Sequence, residues 1–456
     1  MNIIILGAGK VGSHLTNELS LQDHNILVID HNKEVLNRLL EQNDVMAMVG
    51  DGTDLNILQE ANVRDCDLFI ALTRNDDINL ISAALAKSLG AKEIIVRLRD
   101  PKYLDHIDRI QEITGSNLVI NPEYLAAKEI QRSIKYSHAR NVQSFLEDRA
   151  LMIEITINPQ SRLHGQRLAD ADSYLSQFDV LIGMVIENDQ VYIPNGDFIL
   201  KAGQKIYVMG NKDDVDQFYK AEIPESIRMK NILIIGASNI TYHLTGLLLA
   251  RNFNVTVIEL NRDKAIDLQE RYRDALVINA DGSDPDILEE ARIDSFDSVI
   301  SLTGIDEENI LIALIAQRYG IDKIISKVNR TNLLKLTGIL DIDATFTPKS
   351  AASNYINRII RSKYDARSVS TLNNLYKLEG DQVEFLEFEV KENSMIFDQR
   401  LRDIRTRPDT LVAMIEHSEL NEQIEVATGN SIIDMGDRVL IITKHKNITQ
   451  IDDILE

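Results

Sequence analysis

Residues 1–120 alternate between two patterns. Short apolar runs without polar alternation stand at Ile3–Leu6, Ile26–Ile29, Val45–Val49, Leu68–Leu72, Ile94–Leu98 and Leu118–Ile120. Between them, apolar residues repeat every three to four positions: Val11, Leu15 and Leu19; Val35, Leu36, Leu39 and Leu40; Leu55, Leu58 and Ala61; Ile78, Ile81, Leu85 and Leu89; Tyr103, Ile107 and Ile110. The runs predict strands buried on both faces and the spaced sets predict helices covering them. Strand and helix in strict alternation imply an α/β fold, a doubly wound, Rossmann-like parallel sheet.

Pro122 opens a further predicted helix over 123–134, after which the pattern changes. Leu151–Ile157 alternates as a half-buried strand does, and Val180–Ile186, Val191–Ile193 and Gln204–Met209 read as strands, with Asn188-Asp189 and Asn195-Gly196 at turns. The same order then returns. Strands are expected at Ile232–Ile235, Val255–Ile258, Ala275–Asn279, Ser298–Leu302, Ile324–Val328 and Ala344–Phe346, and Pro348 replaces Pro122. Residues 161–170 resemble 394–403, and 194–210 resemble 427–443. Gly7 aligns with Gly236, Asp30 with Glu259, Asp51 with Asp281, Thr73 with Thr303 and Asn79 with Asn309, a nearly constant spacing of about 230 residues that marks internal duplication. The expected domains are 1–139, 140–222, 229–365 and 370–456, with a linker at Glu222–Met229 around Pro224.

The net charge of −22, from 71 acidic against 49 basic residues, disfavours nucleic acid and direct adsorption to anionic lipid, and serves solubility. The single cysteine, Cys66, excludes an intrachain disulfide and a cysteine-based zinc site. MNIIILGAG lacks a basic leader and a cleavage site, and no apolar run approaches the ~20 residues that span a bilayer. A soluble, intracellular chain with no membrane insertion is expected.

Gly7-Ala8-Gly9-Lys10-Val11-Gly12 follows a strand and opens a helix, with Asp30 closing the next strand. In that context the first glycine permits the turn, the second lets phosphate approach the backbone, and the third lets helix and strand pack. The helix N-terminus presents N–H groups to phosphate, and Asp30 accepts from a ribose diol while repelling a 2′-phosphate. Lys10 either favours a nucleoside di- or triphosphate or is simply solvated. His31 either edges the nucleotide or lies on the surface. Asp51-Gly52-Thr53 and Leu72-Thr73 follow strands three and four at the carboxyl edge where ligands bind. Asp51 is a candidate for the adenine side and Thr73 for the ribose or phosphate side. Thr53 or Asp54 serves equally as a helix N-cap, and Asp76 and Asp77 complement a helix dipole. Arg97 reaches a phosphate or makes a structural ion pair.

In the second half, Gly236-Ala237-Ser238-Asn239-Ile240-Thr241 keeps only the first glycine, while Glu259 keeps the acid. A mononucleotide or nothing is expected there in preference to a dinucleotide. None of the nine histidines forms an HxxxH or a His–Asp pair beside the loops, and no Cys–His, Ser–His–Asp or Lys–Tyr set is present. No catalytic or metal-ligating residue is therefore assigned. The competing class is an NAD-dependent oxidoreductase with a duplicated Rossmann fold, which needs a proton donor that the small domains do not offer.

GAGKVG (7–12) with Asp30, GDGTDLNILQEA (50–61), ALTRNDDIN (71–79), ADGSDPDILEEA (280–291) and SLTGIDEEN (301–309) resemble Trk-type potassium uptake regulatory subunits. These carry two tandem RCK (KTN) modules, each a Rossmann-like RCK_N part followed by a small α+β RCK_C part. The resemblance covers the whole chain and departs at GASNIT (236–241). It implies a nucleotide-sensing, non-enzymatic gating subunit that binds NAD(H) or ATP/ADP. It also implies a cytoplasmic homotetramer, a ring of eight modules held at the inner face of the cell membrane by a Trk/Ktr-type potassium channel or transporter. The apolar faces of the helices after Pro122 and Pro348 are the expected assembly surfaces.

Overall fold

The computed structural model describes the chain apart from residues 22–23, 101–102, 104–105, 140, 147–148, 189, 224–228, 331–332, 334–343, 348–350, 354, 358, 361–371, 379–381, 392–393, 419–422, 447, 449 and 456. Asp189, Pro224, Pro348 and the boundaries expected at 365 and 370 lie outside the described residues.

In the first module, β1 (Asn2–Leu6), β2 (Asn25–Asp30), β3 (Met46–Val49), β4 (Leu68–Ala71), β5 (Glu93–Arg97) and β6 (Leu118–Ile120) form one parallel sheet in the order β3-β2-β1-β4-β5-β6. It is flanked by α1 (Lys10–Leu19), α2 (Lys33–Gln42), α3 (Leu55–Glu60), α4 (Asp76–Leu89), α5 (Ile107–Thr114) and α6 (Pro122–Lys135). Ile3, Ile4, Ile5 and Leu6 are all buried, as a central strand covered on both faces requires. The strand order reverses between β1 and β4, and their carboxyl ends frame a crevice.

The first small domain is an antiparallel sheet of β7 (Val142–Phe145), β8 (Ala150–Thr156), β9 (Val180–Glu187), β10 (Gln190–Tyr192) and β11 (Lys205–Asn211), ordered β10-β9-β11-β8-β7. It also carries α7 (Leu168–Leu175) and α8 (Lys212–Glu222). The strand pattern alone reveals neither these helices nor β7.

The second module repeats the first with β12 (Asn231–Ile235), β13 (Asn254–Glu259), β14 (Leu276–Asn279), β15 (Ser298–Ser301), β16 (Lys323–Lys327) and β17 (Ala344–Phe346), ordered β14-β13-β12-β15-β16-β17. Its helices include α9 (Asn239–Leu249), α10 (Arg262–Arg271), α11 (Pro285–Glu290) and α12 (Asp306–Arg318). The second small domain has β18 (Leu372–Leu378), β19 (Val383–Glu389), β20 (Thr410–Glu416), β21 (Ile424–Val426) and β22 (Arg438–Thr443), ordered β18-β19-β22-β20-β21.

Like pairs with like. One compact unit joins Met1–Ile134 to Met229–Asn357 and so holds both parallel sheets; the other joins Lys135–Arg228 to Arg358–Glu456 and holds both antiparallel sheets. In the first unit, Ala126, Ala127, Ile130 and Ile134 of α6 share a core with Ile240, Leu244 and Leu248 of α9. Gln131 donates to the Leu247 carbonyl at 2.8 Å, and the Tyr124 ring meets His243 edge-on at 5.6 Å. In the reverse direction, Asn357 donates to Glu18 of α1. The expectation that the apolar face after Pro122 is an assembly surface is thus corrected for this helix. That face is consumed inside the chain, where each buried aliphatic side chain contributes about 1.5–3 kcal/mol.

In the second unit, Phe145 stacks on Phe385 with centroids 5.5 Å apart. A Cβ at Gly183 would lie 2.4 Å from Ile442 Cδ1, so the two sheets approach closely there. The buried Glu387 accepts from the Leu146 amide at 3.0 Å, and Glu416 lies between Arg149 and Arg438. Among the described residues no helix is long and apolar enough to cross a membrane.

Candidate nucleotide-binding site

The loop between β1 and α1 uses its three glycines differently. Gly7 has φ +102°, and a Cβ on it would lie 2.8 Å from the Thr73 amide nitrogen. A Cβ on Gly12 would lie 1.9 Å from the Gly7 carbonyl oxygen. Both are therefore needed for packing. Gly9 is the N-cap of α1, no side chain caps it, and a Cβ there would meet nothing within 4 Å. The start of α1 thus faces open space with its first-turn amides uncapped by any side chain, the arrangement that receives a phosphate. Ala8 and Val11 bury their side chains, so they offer the loop backbone only, and Lys10 is exposed.

Asp30 Oδ2 accepts from the Ala8 amide at 2.6 Å, and Oδ1 accepts from the Asn32 amide at 2.8 Å. The acid therefore orders the glycine loop and keeps lone pairs for a diol. His31 Nδ1 stands 3.3 Å from Asp30 Oδ1 with its side chain 90% exposed. A His–Asp contact does exist at the loop rim, contrary to the sequence expectation, because adjacent residues at a strand end turn toward one another there.

The loop after β4 is braced from below. Asn79 is fully buried; its Oδ1 accepts from the Thr73 amide at 2.9 Å and the Thr73 hydroxyl at 2.7 Å, and its amide donates to the Arg97 carbonyl at 2.9 Å. Arg97 is buried, donates to the Thr73 carbonyl at 3.2 Å and lies 3.5 Å from Glu123. Burial pulls its guanidinium below its ordinary value, with Glu123 opposing. Glu123 also takes Arg99 at 2.8 Å. Of the two roles open to Arg97, the geometry supplies the ion pair. Asn79, Arg99 and Glu123 drew no assignment from the sequence; the signal for Asn79 was its counterpart Asn309, which holds Thr303 at 2.9 Å in the same way.

On the other side, Asp51 accepts from the amide and hydroxyl of Thr53 at 2.9 and 2.8 Å, bonds that hold its carboxyl below the ordinary range. Gly52 packs under Leu6, where a Cβ would come within 2.2 Å, and Leu72 is buried. Asp54, not Thr53, caps α3, accepting from Asn56. Asn75 caps α4, whose first turn holds Asp76 and Asp77; Asp76 accepts from the Arg99 and Asp100 amides at 2.9 Å. Gly7, Ala8, Gly9, Lys10, Gly12, Asp30 and Thr73 therefore converge at the crevice, while Arg97 supports it from behind.

In the second module Gly236 repeats the positive φ, +97°, against Thr303. Glu259 accepts from the Ala237 and Asn261 amides. Ser238 and Thr241 cap α9 reciprocally, Asn239 is exposed and Ile240 is buried. Lys327 occupies the Arg97 position; it donates to the Leu302 carbonyl at 3.2 Å, and burial lowers its ammonium below the ordinary value. Away from these loops, Asp437 accepts from the Ser418 and Asp434 amides and shares a hydrogen with His417 at 2.9 Å, bracing a turn.

A TrkA-N domain matches residues 3–122 and 232–348, and a TrkA-C domain matches 152–222 and 385–456. A Trk system potassium uptake protein TrkA homolog of Archaeoglobus fulgidus is 29% identical, aligned over 100% of this chain and 100% of its own. The Trk system potassium uptake protein TrkA of Haemophilus influenzae is 27% identical over 100% and 99%. Among solved structures, the GsuK channel bound to NAD superposes with a TM-score of 0.63 at 18% identity, covering 97% of this chain and 76% of that one. The GsuK RCK domain gives 0.62 at 18%, covering 97% and 92%. At that identity the likeness is one of fold.

Proposed function

The chain belongs to the family built from TrkA-N and TrkA-C domains, and from that membership we propose that it is the nucleotide-sensing regulatory subunit of a potassium uptake system. The observation that carries the proposal is the uncapped start of α1, open at Gly9 and facing Asp30, in a chain that aligns end to end with relatives named as TrkA.

The first module takes NAD(H), ATP or ADP. Phosphate lies against the amides at Gly9–Gly12, Asp30 accepts from the ribose, and Lys10 lends positive charge beside the phosphates. The GsuK neighbours solved with NAD and with ADP support this ligand class. The chain regulates and does not catalyse. It sits at the cytoplasmic face of a Trk/Ktr-type potassium channel or transporter, as a ring of four chains and eight modules.

The mechanism is linkage: ligand moves the gate only by its difference in affinity between two states of the paired modules. The path begins locally. α1 starts at the phosphate loop and, through Glu18, holds Asn357 of the second module. A ligand that draws the start of α1 toward its phosphates biases how the two modules sit together. The test is calorimetric titration with NADH, ATP and ADP, wild type against Asp30→Ala, followed by potassium flux in vesicles holding the membrane partner. Saturable binding lost in the variant supports the reading; absence of binding by all three nucleotides overturns it.

A further inference from the structure

We infer that Ser238 and Thr241 close the second module's loop against nucleotide, so that each chain takes a single nucleotide, in its first module. This rests on the reading of the first loop as a phosphate site.

A Rossmann loop admits phosphate because its first-turn amides lack partners and its middle position lacks a Cβ. The first module meets both conditions at Gly9. The second lacks the open middle position and keeps only part of the first condition, because its Thr241 amide is already engaged. Ser238 Oγ accepts from the Thr241 amide at 3.4 Å, Thr241 Oγ1 accepts from the Ser238 amide at 3.1 Å, and the two hydroxyls lie 3.2 Å apart. The Thr241 hydroxyl donates onward to the Gly236 carbonyl. The loop's own side chains thus engage the Ser238 and Thr241 amides, and Ser238 carries a side chain at the position where the first loop has Gly9.

One further contrast agrees. Gly12 tolerates no Cβ, because one would strike the Gly7 carbonyl at 1.9 Å. Thr241 sits at the matching position and binds the matching carbonyl, so the second loop has a different shape, pinned by its own hydroxyl. Glu259 does not separate the modules: it accepts from the Ala237 and Asn261 amides as Asp30 does from Ala8 and Asn32. The hydroxyls stand in for the ligand, and the second module stays in one state while the first switches.

The experiment counts sites on the full-length protein by equilibrium titration with ADP and with NAD+. The proteins are wild type, Asp30→Ala, the double variant Ser238→Gly/Thr241→Gly, and the triple combination. Wild type is expected to bind one nucleotide per chain, the double variant two, and the triple variant one. The milder Ser238→Gly, read beside circular-dichroism melting, serves if the double variant melts early; it is expected to gain a weaker second site. Two sites in wild type, or no added site in variants that melt like wild type, overturns the inference. Failure of the first-module reading looks different: wild type binds nothing while the double variant still gains a site.

Discussion

The Asp30 carboxylate and the Ala8 amide are joined by a 2.6 Å hydrogen bond across the mouth of the first parallel sheet. The residue expected to hold a ribose therefore also orders the glycine loop. Asp30→Ala should weaken nucleotide binding at least tenfold and cost about 1–2 kcal/mol of stability, since two backbone donors lose their acceptor. Asp30→Asn, which keeps one carbonyl acceptor, should recover most of the stability without the affinity. Urea unfolding beside calorimetry separates the two effects.

Gly9→Ala and Gly7→Ala should part company. A Cβ at Gly9 meets no neighbour, so this variant should fold with native stability and lose nucleotide affinity at least tenfold. A Cβ at Gly7 meets Thr73 at a left-handed φ of +102°, so that variant should lose about 2 kcal/mol or more. If Gly9→Ala binds as tightly as wild type, phosphate does not approach the loop there.

Removing Glu123 strands a buried guanidinium. Glu123→Ala should destabilise by about 3–5 kcal/mol, because Arg97 loses its carboxylate. Arg99→Ala removes a partly exposed partner of the same Glu123 and should cost about 0–1 kcal/mol. Equal losses in denaturant melts would show that Arg97 does not depend on that carboxylate.

His243, against Tyr124 at the module junction, is held below its ordinary value by burial, with Glu123 opposing and Arg271 reinforcing. In the folded chain it stays neutral to lower pH than in the unfolded chain. The unfolded state thus binds more protons once pH falls below about 6.5, and stability declines from there downward. Thermal melts between pH 7.5 and 5 should show a smaller decline for His243→Phe than for wild type; parallel declines would remove His243 as a source.

The parallel sheets are legible because runs such as Ile3–Leu6 are short, rich in β-branched residues and followed by glycine, and the duplication repeats the order. The glycine loop was legible for the same reason its chemistry works: only glycine fits at Gly7 and Gly12. α8 has helical spacing in Val215, Phe218 and Tyr219 and its N-cap in Asn211, but Lys212 follows β11 directly, so the helix begins where the strand pattern ends. α7 is short, eight residues with only Ala171 and Leu175 fully buried and Leu168 and Tyr174 packed at the core's edge, so its pattern is weak. The partner of Arg97 could not be read because Glu123 comes from another element. An apolar helix face states that it is covered, never by what, and so the pattern of α6 fits a surface between chains as well as one within the chain.

The seating of α6 on α9 has a consequence for how the two loops came to differ. Were these modules separate identical chains, symmetry would oblige both partners to carry the same loop, and any change that shut one would shut both. Joined on one chain, the halves meet at an effective concentration on the order of millimolar, whatever the protein's abundance. The covalent link lets one half carry Gly9 and the other Ser238, so a pair descended from equals is free to divide its roles.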